Sequence, residues 1–391
     1  MRFNLHLALA VSVAALVLSG CAAQGTQPAS DAQTAAVPAA TGTGVGGGPP
    51  SRRSLASFAK ANGPAACYDR EKEPFTAVVD AHFHPRPFGG PAIPPWELYK
   101  YFDEAGVRFV NYFGIGQVLD LKSGCTYYLD CPGVPALPSI KNDFVNGMEV
   151  VAYPHENLHI TLSMTFMDLA HPEDVVRTIE LYDKEYPGMF KWAGELNVMK
   201  QALLGNLAEP ATMESIERWG PFMKVLRERG IPVTLHSDLG NDAEPTKFVP
   251  LAMKVFGTYP DNKIVWAHMG LSKELSHIDP ELHISMMKKA LDLYPNLMLD
   301  ISWDVLYENY REFGPMFVEF FNQYPDRILP GTDFVAAGTK DYAKYAHELD
   351  VTSRVNRALS DEAFRKIALG ENYFRLLGLP YEAPQVCKKS S

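Results

Sequence analysis

The chain has 391 residues, of which 47% are hydrophobic and 21% are charged, and its formal net charge is −10. This is the composition of an ordinary globular protein. The sequence contains no basic run, and proteins that bind nucleic acid need clustered lysine and arginine to displace counterions. We therefore expect no nucleic-acid partner.

The first twenty residues have the pattern of a secretory signal. Arg2 precedes an apolar run from Leu7 to Leu18, which is too short to span a membrane. The tetrapeptide Leu18-Ser19-Gly20-Cys21 resembles the lipobox of bacterial lipoproteins. The resemblance implies that residues 1–20 are removed and Cys21 is acylated. We expect an exported protein, anchored by lipid to a bacterial membrane and facing the periplasm or cell exterior; the alternative is a plain secretory signal.

A polar tether follows the signal. Residues 22–50 consist of Ala, Gly, Thr, Gln, Pro, Ser and Val, with Asp31 as the only charge. Such a segment cannot bury enough apolar surface to offset the entropy lost on folding. We therefore predict a flexible linker over residues 21–58 and one folded domain over residues 59–391.

Four further cysteines lie in the predicted domain. In an oxidising compartment they can form two disulfides, and three pairings are open. We favour Cys125–Cys131, which closes a short loop, and Cys67–Cys387, which ties the ends of the domain together. The alternative is that all four are free thiols.

Short apolar runs alternate with longer amphipathic stretches from Pro74 onward, which predicts parallel βαβ units. The predicted strands are Phe75–Asp80, Val107–Phe113, Ile160–Phe166, Met189–Leu196, Pro232–His236, Lys263–His268, Leu297–Ile301 and Arg327–Gly331. The main predicted helices are Glu173–Tyr186, Met213–Arg229, Pro280–Leu293 and Tyr310–Gln323. Eight such strands in one domain predict an α/β fold, a (β/α)8 TIM barrel. The long connection from Gly114 to about Asn157 is expected to cap its mouth.

Residues that bind metals recur at the ends of these strands, where the chemistry of a (β/α)8 barrel is located. Because His82 and His84 are two residues apart on an extended chain, both side chains point the same way and can bind one ion. The series comprises Asp80, His82, His84, Glu195, His236, His268 and Asp333.

The segments that carry this series resemble the amidohydrolase superfamily, in particular its amidohydrolase-related group of metal-dependent hydrolases and decarboxylases. The similar segments are Val79-Asp80-Ala81-His82-Phe83-His84, Thr234-Leu235-His236, Val265-Trp266-Ala267-His268-Met269-Gly270, Leu329-Pro330-Gly331-Thr332-Asp333-Phe334 and the tail Ile367–Leu376. The resemblance extends from about Phe75 to Leu379.

The resemblance implies a role for each matching residue. His82, His84 and His236 would bind a divalent metal, with Asp333 close to it. His268 would bind a second metal or hold the substrate oxygen, and Asp333 would take the proton from metal-bound water. The physical logic is independent of the family, because a divalent ion lowers the pKa of its water and a neighbouring carboxylate can act as the base.

The fourth predicted strand decides the number of ions. Two-metal members of the family often have a bridging carboxylated lysine or glutamate there, and this chain has Lys191, Glu195 and Lys200. We favour Glu195 as a bridging ligand; the alternative is that it hydrogen-bonds a ligand of a single ion. The ligand types suit Zn, Mn and Fe, and we expect zinc, as one or two ions.

Several other polar residues have less specific patterns. Asp80 is expected to orient the histidines, and Asp300 to be structural or to face the substrate. Trp303 at the barrel mouth and Arg86 after the first ligands are candidates for substrate binding, although packing and a solvated turn explain them equally. We predict that the histidines outside the series, including His283, lie at the surface.

No serine-hydrolase elbow, phosphate-binding Gly-rich loop or dinucleotide fingerprint is present in the sequence. The leading hypothesis is hydrolysis of a small amide, lactone or ester by a metal-activated water. The alternatives are non-oxidative decarboxylation of a small carboxylated substrate, which a single ion would favour, and a tethered binding protein without catalysis. The sequence leaves the substrate and the oligomeric state open.

Overall fold

The structure is a computed structural model that describes residues 52–308 and 314–388. The predicted signal, Cys21 and the linker up to residue 51 lie outside the described residues. The strands are β1 (Val79–His84), β2 (Phe109–Tyr112), β3 (Gln117–Leu119), β4 (Ala136–Pro138), β5 (His159–Met164), β6 (Phe190–Met199), β7 (Val233–Ser237), β8 (Ile264–Trp266), β9 (Leu297–Asp300), β10 (Ile328–Leu329) and β11 (Phe334–Val335).

Helices separate most of these strands. They are α1 (Pro95–Ala105), α2 (Lys141–Ala152), α3 (Val175–Glu185), α4 (Met213–Glu217), α5 (Gly220–Glu228), α6 (Val249–Thr258), α7 (Pro280–Leu293), α8 (Val305–Glu308), α9 (Gly314–Gln323), α10 (Tyr342–Ser353), α11 (Asp361–Ile367) and α12 (Glu371–Leu377). None of the helices in the described ranges has the length and apolarity needed to cross a membrane.

The main sheet is parallel and curls until its two edges meet. Its nine strands follow the order β10-β9-β8-β7-β6-β5-β2-β1-β11, so the edge strands β10 and β11 are close neighbours in sequence. The segment between them hydrogen-bonds to β1: the amide of Ala81 donates to the carbonyl of Pro330 at 2.9 Å, and the amide of Asp333 donates to the carbonyl of His82 at 2.8 Å. The predicted α/β fold with parallel strands is thereby confirmed, as a curled sheet of nine strands rather than eight.

Strand bounds agree with the predicted strands to within two residues except at β6, which continues to Met199, and at β1. The sequence predicted a strand that ends at Asp80, whereas β1 runs from Val79 to His84 and all six of its residues are buried. The pattern was misleading because histidines appeared too polar for a buried strand. His82 and His84 therefore lie on the strand itself, and their rings point into the barrel.

One predicted helix is interrupted, and another lies partly outside the described residues. The segment predicted as one helix, Met213–Arg229, forms two helices, α4 and α5. Pro221 lies in the first turn of α5, because proline has no backbone N–H to donate within the interior of a continuous helix. The prediction Tyr310–Gln323 contains residues outside the described ranges, and its described part is α9.

The long connection after β2 has structure of its own. The antiparallel strands β3 and β4 form a hairpin, and α2 follows it, so this segment is not the continuous loop that the sequence suggested. Cys125 and Cys131 form a disulfide within the hairpin. Phe88 and Tyr128 belong to a small apolar cluster that packs the hairpin onto the barrel mouth.

The ends of the domain are held together. Cys67 and Cys387 form a disulfide between residues 320 positions apart, which is the pairing that the sequence favoured. A short 3-10 helix, Leu55–Phe58, packs its Phe58 against Phe109 with ring centroids 5.4 Å apart. The fold thus begins before the predicted boundary at residue 59, because Phe58 is an apolar anchor at the end of the polar tether.

Candidate metal centre

Six of the predicted metal-binding residues converge at the carboxyl ends of the strands. His82 and His84 come from β1, Glu195 from β6 and His236 from β7. His268 lies in the turn after β8, and Asp333 lies between β10 and β11. The histidines and Glu195 are all buried, while Asp333 is partly exposed to the cavity described below.

The two histidines of β1 (hereafter the β1 pair) point their inner nitrogens at one carboxylate. The Nε2 atoms of His82 and His84 are 3.2 Å apart. Oδ1 of Asp333 lies 3.3 Å from Nε2 of His82 and 3.0 Å from Nε2 of His84. These three atoms form a compact set of potential ligands.

Glu195 lies between the β1 pair and two further histidines. Its Oε2 is 3.9 Å from Nε2 of His82 and 3.7 Å from Nε2 of His84. Its Oε1 hydrogen-bonds Nδ1 of His236 and lies 3.6 Å from Nε2 of His268. One carboxylate is therefore shared between two groups that have the residue types and spacing to hold a metal.

Each histidine is held by a partner on its outer nitrogen, which fixes the ring and leaves the inner nitrogen directed at the centre. The partners are Oδ2 of Asp300 for His82 at 2.5 Å, the carbonyl of Phe113 for His84 at 3.2 Å, Oδ1 of Asp238 for His236 at 2.8 Å, and Oγ of Ser302 for His268 at 3.0 Å.

The donor set fits a divalent metal ion. Nε2 of His268 is buried and has no hydrogen-bond partner among the described residues, although a buried polar atom normally has one. Imidazole nitrogens together with carboxylates suit zinc and also manganese and iron. An ion at the centre would satisfy the inner nitrogens that the protein leaves unpaired.

Asp80 stabilises the centre without touching the histidine rings. Its carboxylate accepts hydrogen bonds from the amide and the hydroxyl of Thr332 at 2.9 and 2.8 Å, and thereby fixes the segment that carries Asp333. Gly331 is required there, since a Cβ at this position would lie 2.7 Å from Cβ of His82. Burial raises the pKa of Asp80 to about 7, although the hydrogen bonds from Thr332 oppose that rise. Asp80 thus positions Asp333 and orients neither ring.

Unusual backbone conformations are concentrated at the site. His268, Trp303 and Asp333 have φ values of 53°, 74° and 58°, in the left-handed region that residues other than glycine seldom adopt. Such conformations persist where the surrounding structure enforces them, and they occur often at functional sites. At these three positions the backbone turns a side chain toward the centre or its cavity.

Lys200 follows β6 and lies against Glu195. Its Nζ is 3.4 Å from both carboxylate oxygens, and only 12% of its side chain is exposed. Burial acts to raise the pKa of Glu195, but the charges of Lys200 and His236 outweigh it and hold that pKa well below its usual value. Burial likewise acts to lower the pKa of Lys200, and the charge of Glu195 raises it instead. Both groups are therefore ionised at neutral pH.

A cavity of about 510 Å³ opens from the centre. His84, Asp333 and Lys200 form its floor, and Trp303 lies on one wall with its ring centroid 5.0 Å from that of His268. The opposite wall comes from the segment that the Cys125–Cys131 disulfide closes, whose cavity-lining residues are Thr126, Tyr127, Tyr128 and Asp130. The volume suits a small molecule.

Arg86 is not at this cavity. Its guanidinium donates to Oδ1 of Asn146 at 3.2 Å and pairs with Glu149 of α2. The structure thus pairs Arg86 with a carboxylate of α2 that the sequence alone could not place there, and the substrate-binding role of Arg86 stays a prediction. His283 was misplaced: it is buried, and its Nε2 donates to the carbonyl of Met269.

Four functional residues had weak signals in the sequence. Asp300 ends a strand and was noticed without a specific role, while Asp238 follows His236 at the two-residue spacing that puts both on the same side of an extended chain. Lys200 was considered only as a bridging lysine. Nothing in the sequence pointed to Ser302.

One family model matches part of this chain. The profile of a family described as Amidohydrolase matches residues 195–379. A search of curated proteins finds no match.

A comparison with solved structures finds matches at low sequence identity. An amidohydrolase from Burkholderia multivorans with bound Zn has 11% sequence identity and a TM-score of 0.48, over 78% of this chain and 100% of that one. A beta-aspartyl dipeptidase from Fervidobacterium islandicum AW-1 has 12% identity and a TM-score of 0.47, over 80% of this chain and 75% of that one. A dihydroorotase from Campylobacter jejuni has 16% identity and a TM-score of 0.44, over 78% and 83%.

Proposed function

We propose that this protein is a metal-dependent hydrolase of the amidohydrolase type that cleaves a small amide, lactone or ester. One observation carries the proposal: beside a cavity of about 510 Å³, the inner nitrogens of His82 and His84 lie 3.3 and 3.0 Å from Oδ1 of Asp333, and that of His268 lies 3.8 Å from its Oδ2. The match to the amidohydrolase family profile supports the same reaction class.

The ion would supply activation of water and polarisation of the scissile carbonyl, and we propose zinc, with manganese or iron as alternatives. Asp333 is the proton acceptor, because its carboxylate borders both the β1 pair and the cavity. Burial acts to raise the pKa of Asp333, but the charges of His82 and His268 hold it well below its usual value, so the carboxylate is ionised at neutral pH. An ionised carboxylate at this place can accept a proton from the attacking water.

The remaining residues of the site hold these groups in position. Asp300 fixes the ring of His82, and Asp80 fixes the segment that carries Asp333 through Thr332. Trp303 and the tyrosines of the disulfide-closed segment would contact the apolar part of a substrate. The cavity walls therefore determine which small molecule binds, and the centre determines what is cleaved.

The proposal is tested with purified protein, elemental analysis and a panel of amides, lactones and esters. We expect bound divalent metal and hydrolysis of at least one class, which a chelator abolishes and added zinc restores. Hydrolysis that is insensitive to chelation would contradict the metal mechanism. A protein without metal, in which His82→Ala changes nothing, would instead support a tethered binding protein.

Non-oxidative decarboxylation is the second candidate. The observation in its favour is Lys200, whose ammonium lines the cavity next to the centre and would pair with a substrate carboxylate. Release of CO2 from small carboxylated aromatic compounds, measured in the same preparations, separates the two reactions.

We further propose that the protein is exported and anchored by a lipid on Cys21. The two disulfides support an oxidising compartment, since such bonds are rare in the cytosol. Mass analysis of the mature N-terminus tests this proposal: a diacylated or triacylated Cys21 is expected, and an unmodified N-terminus at another residue would contradict it.

A further inference from the structure

An apolar surface lies on the outer side of α1 and α2. On α2, Met148 and Val151 are exposed and are three residues apart, so they lie on one side of the helix. Tyr153 directly after α2 and Trp96 in the first turn of α1 are also exposed, and their ring centroids are 5.4 Å apart. We call Met148, Val151, Tyr153 and Trp96 the flank patch. None of the four lines the cavity at the metal centre.

The outer face of α2 differs from that of the next helix along the chain. The exposed side chains of α3 include the charged residues Arg177, Glu180, Asp183 and Lys184. Residues 142–154, by contrast, expose only apolar or aromatic side chains. The charged residues of that range are turned away from solvent, since Asp143 is buried and Glu149 pairs with Arg86. A continuous exposed apolar surface of this kind is typical of a site that contacts a membrane or another protein.

The chain enters the described domain on the same side. Nη2 of Arg52, the first described residue, lies 3.0 Å from Oε1 of Glu104. Glu104 and Trp96 are eight residues apart on α1, a spacing that keeps both on one face of a helix, about 12 Å apart along its axis. The amide of Leu55 donates to Oδ1 of Asn157, in the segment after α2, at 2.8 Å. The predicted linker therefore joins the domain beside the flank patch.

The proposed lipid anchor brings a bilayer within reach of this surface. Arg52 follows Cys21 by 31 positions, and a polar chain of that length would span about 30 Å on average. Such a tether gives the bilayer a high effective concentration at the domain, so that a weak contact suffices. Tryptophan and tyrosine favour the membrane–water interface, because each ring is apolar and has one polar group. The flank patch thus has the side chains that a lipid surface binds.

Electrostatic attraction is not needed for this contact. The formal net charge of the chain is −10, which does not favour binding to anionic lipid. The charged residues near the flank patch are of both signs, with Glu97 and Lys100 on α1 and Lys141 and Glu156 at the two ends of the α2 segment. A contact made by apolar and aromatic side chains is not screened by salt.

We propose that the flank patch lies on the phospholipid bilayer to which Cys21 anchors the protein. Its four side chains enter the interfacial layer, and the charged residues around them stay in water. The contact holds the domain in one orientation on the membrane, which a tether alone does not do. This inference rests on the proposed lipid anchor and is independent of the proposed reaction.

The experiment uses the mature lipidated protein in phosphatidylcholine vesicles that contain brominated lipid. The two disulfides and the lipid on Cys21 occupy all five cysteines, so Val151→Cys has one free thiol for the fluorophore nitrobenzoxadiazole. Leu293→Cys is the matched control, because Leu293 at the end of α7 is 57% exposed and Val151 is 62% exposed. α7 follows β8, which is four strands away from β2 in the sheet.

We expect brominated lipid to quench the label at position 151 at least about twofold more strongly than the label at position 293. The difference should persist at high salt. A label at position 151 that has the emission of a fluorophore in water and is not quenched would overturn the inference. Emission shifted to the blue without quenching by lipid would also overturn it, and would indicate that a second copy of the chain or another protein covers the patch.

Intrinsic fluorescence is the second measurement if the cysteine variants do not fold. Brominated lipid should quench the tryptophan emission of the wild type more than that of Trp96→Phe, because Trp96 is the tryptophan of the flank patch. Equal quenching of the two proteins would contradict the proposed contact.

The anchor and the contact are measured separately. Mass analysis shows whether Cys21 carries a lipid, and flotation with the vesicles shows whether the protein is bound to them. A lipidated, vesicle-bound protein without quenching at position 151 would overturn this inference and leave the anchor intact. A mature protein without lipid on Cys21 would overturn both.

Discussion

The β1 pair and a neighbouring set of side chains, which we call the carboxylate row, belong to one centre and use similar residue types, yet their hydrogen bonding is different. The carboxylate row consists of Lys200, Glu195, His236 and Asp238. In the β1 pair, the Nε2 atoms of His82 and His84 lie 3.2 Å apart and both face Oδ1 of Asp333, which has no lysine or arginine within 4.0 Å among the described residues. In the row, the ammonium of Lys200 already satisfies Glu195. The difference teaches that residue type alone does not define a metal ligand. What matters is whether the protein has left the group without a partner.

Removal of the carboxylate beside the β1 pair should have the largest effect. Asp333→Asn keeps the shape but cannot accept a proton, so we expect kcat/KM for hydrolysis to fall by about a thousandfold, within the usual range for a lost general base. The measurement is initial-rate kinetics on the best substrate of the panel. Asp183→Asn changes a carboxylate that pairs with Arg229 and does not line the cavity; it is the control and should retain most activity.

The comparison would fail if Asp333→Asn kept more than a tenth of the wild-type rate. It would also fail if Asp238→Asn, in the row, proved as damaging as Asp333→Asn.

A second prediction concerns His283, which hydrogen-bonds the backbone of Met269 in the turn that carries His268. Burial lowers the pKa of His283 to about 4, and its Nε2 donates to the carbonyl of Met269. Between pH 6.5 and 4 the unfolded chain binds a proton at His283 that the folded chain does not, so stability falls as the pH is lowered through that range. The expected loss is about 3 kcal/mol over the whole range.

Urea unfolding of the metal-free protein at pH 7 and pH 5 measures this effect. His283→Gln keeps a donor near Met269 but does not titrate, so its stability should change less between the two pH values, by about 2 kcal/mol. Because both proteins have the same metal-binding residues, the difference isolates His283. Equal pH dependence in the two proteins would exclude His283 as the cause.

The smallest effect is expected from the residues that orient the rings. Asp300→Asn weakens the hydrogen bond to His82, and we expect zinc affinity to fall by about 10- to 100-fold, as is usual for partners of metal ligands. Asp238→Asn changes the corresponding bond to His236 in the row, and should change zinc affinity by less than about threefold. Competition with a chromophoric chelator measures both. Equal losses of zinc affinity in the two variants would show that His236 is a ligand. The β1 pair and the carboxylate row would then not differ in metal binding.

Much of the fold and of the centre could be predicted from the sequence. Apolar runs separated by amphipathic stretches give the barrel, since a strand in a parallel sheet is buried on both faces. The series from His82 to Asp333 could be found because barrel strands place their carboxyl ends on one rim. Helix interruptions such as that at Pro221, and the true extent of β1, depend on local packing that the pattern does not contain.

The sequence by itself determined which residues reach the centre, because strand order and side-chain alternation are properties of the chain. Tertiary structure alone decided their partners. Arg86 pairs with Glu149 of α2, and Lys200 with Glu195, since elements that are distant or irregular in sequence meet there. A buried charge acts through the groups within a few ångströms of it, and those neighbours are set by packing. For that reason the sequence pointed to residues of the kinds that bind metals, and the three-dimensional contacts were needed to place Lys200 beside Glu195.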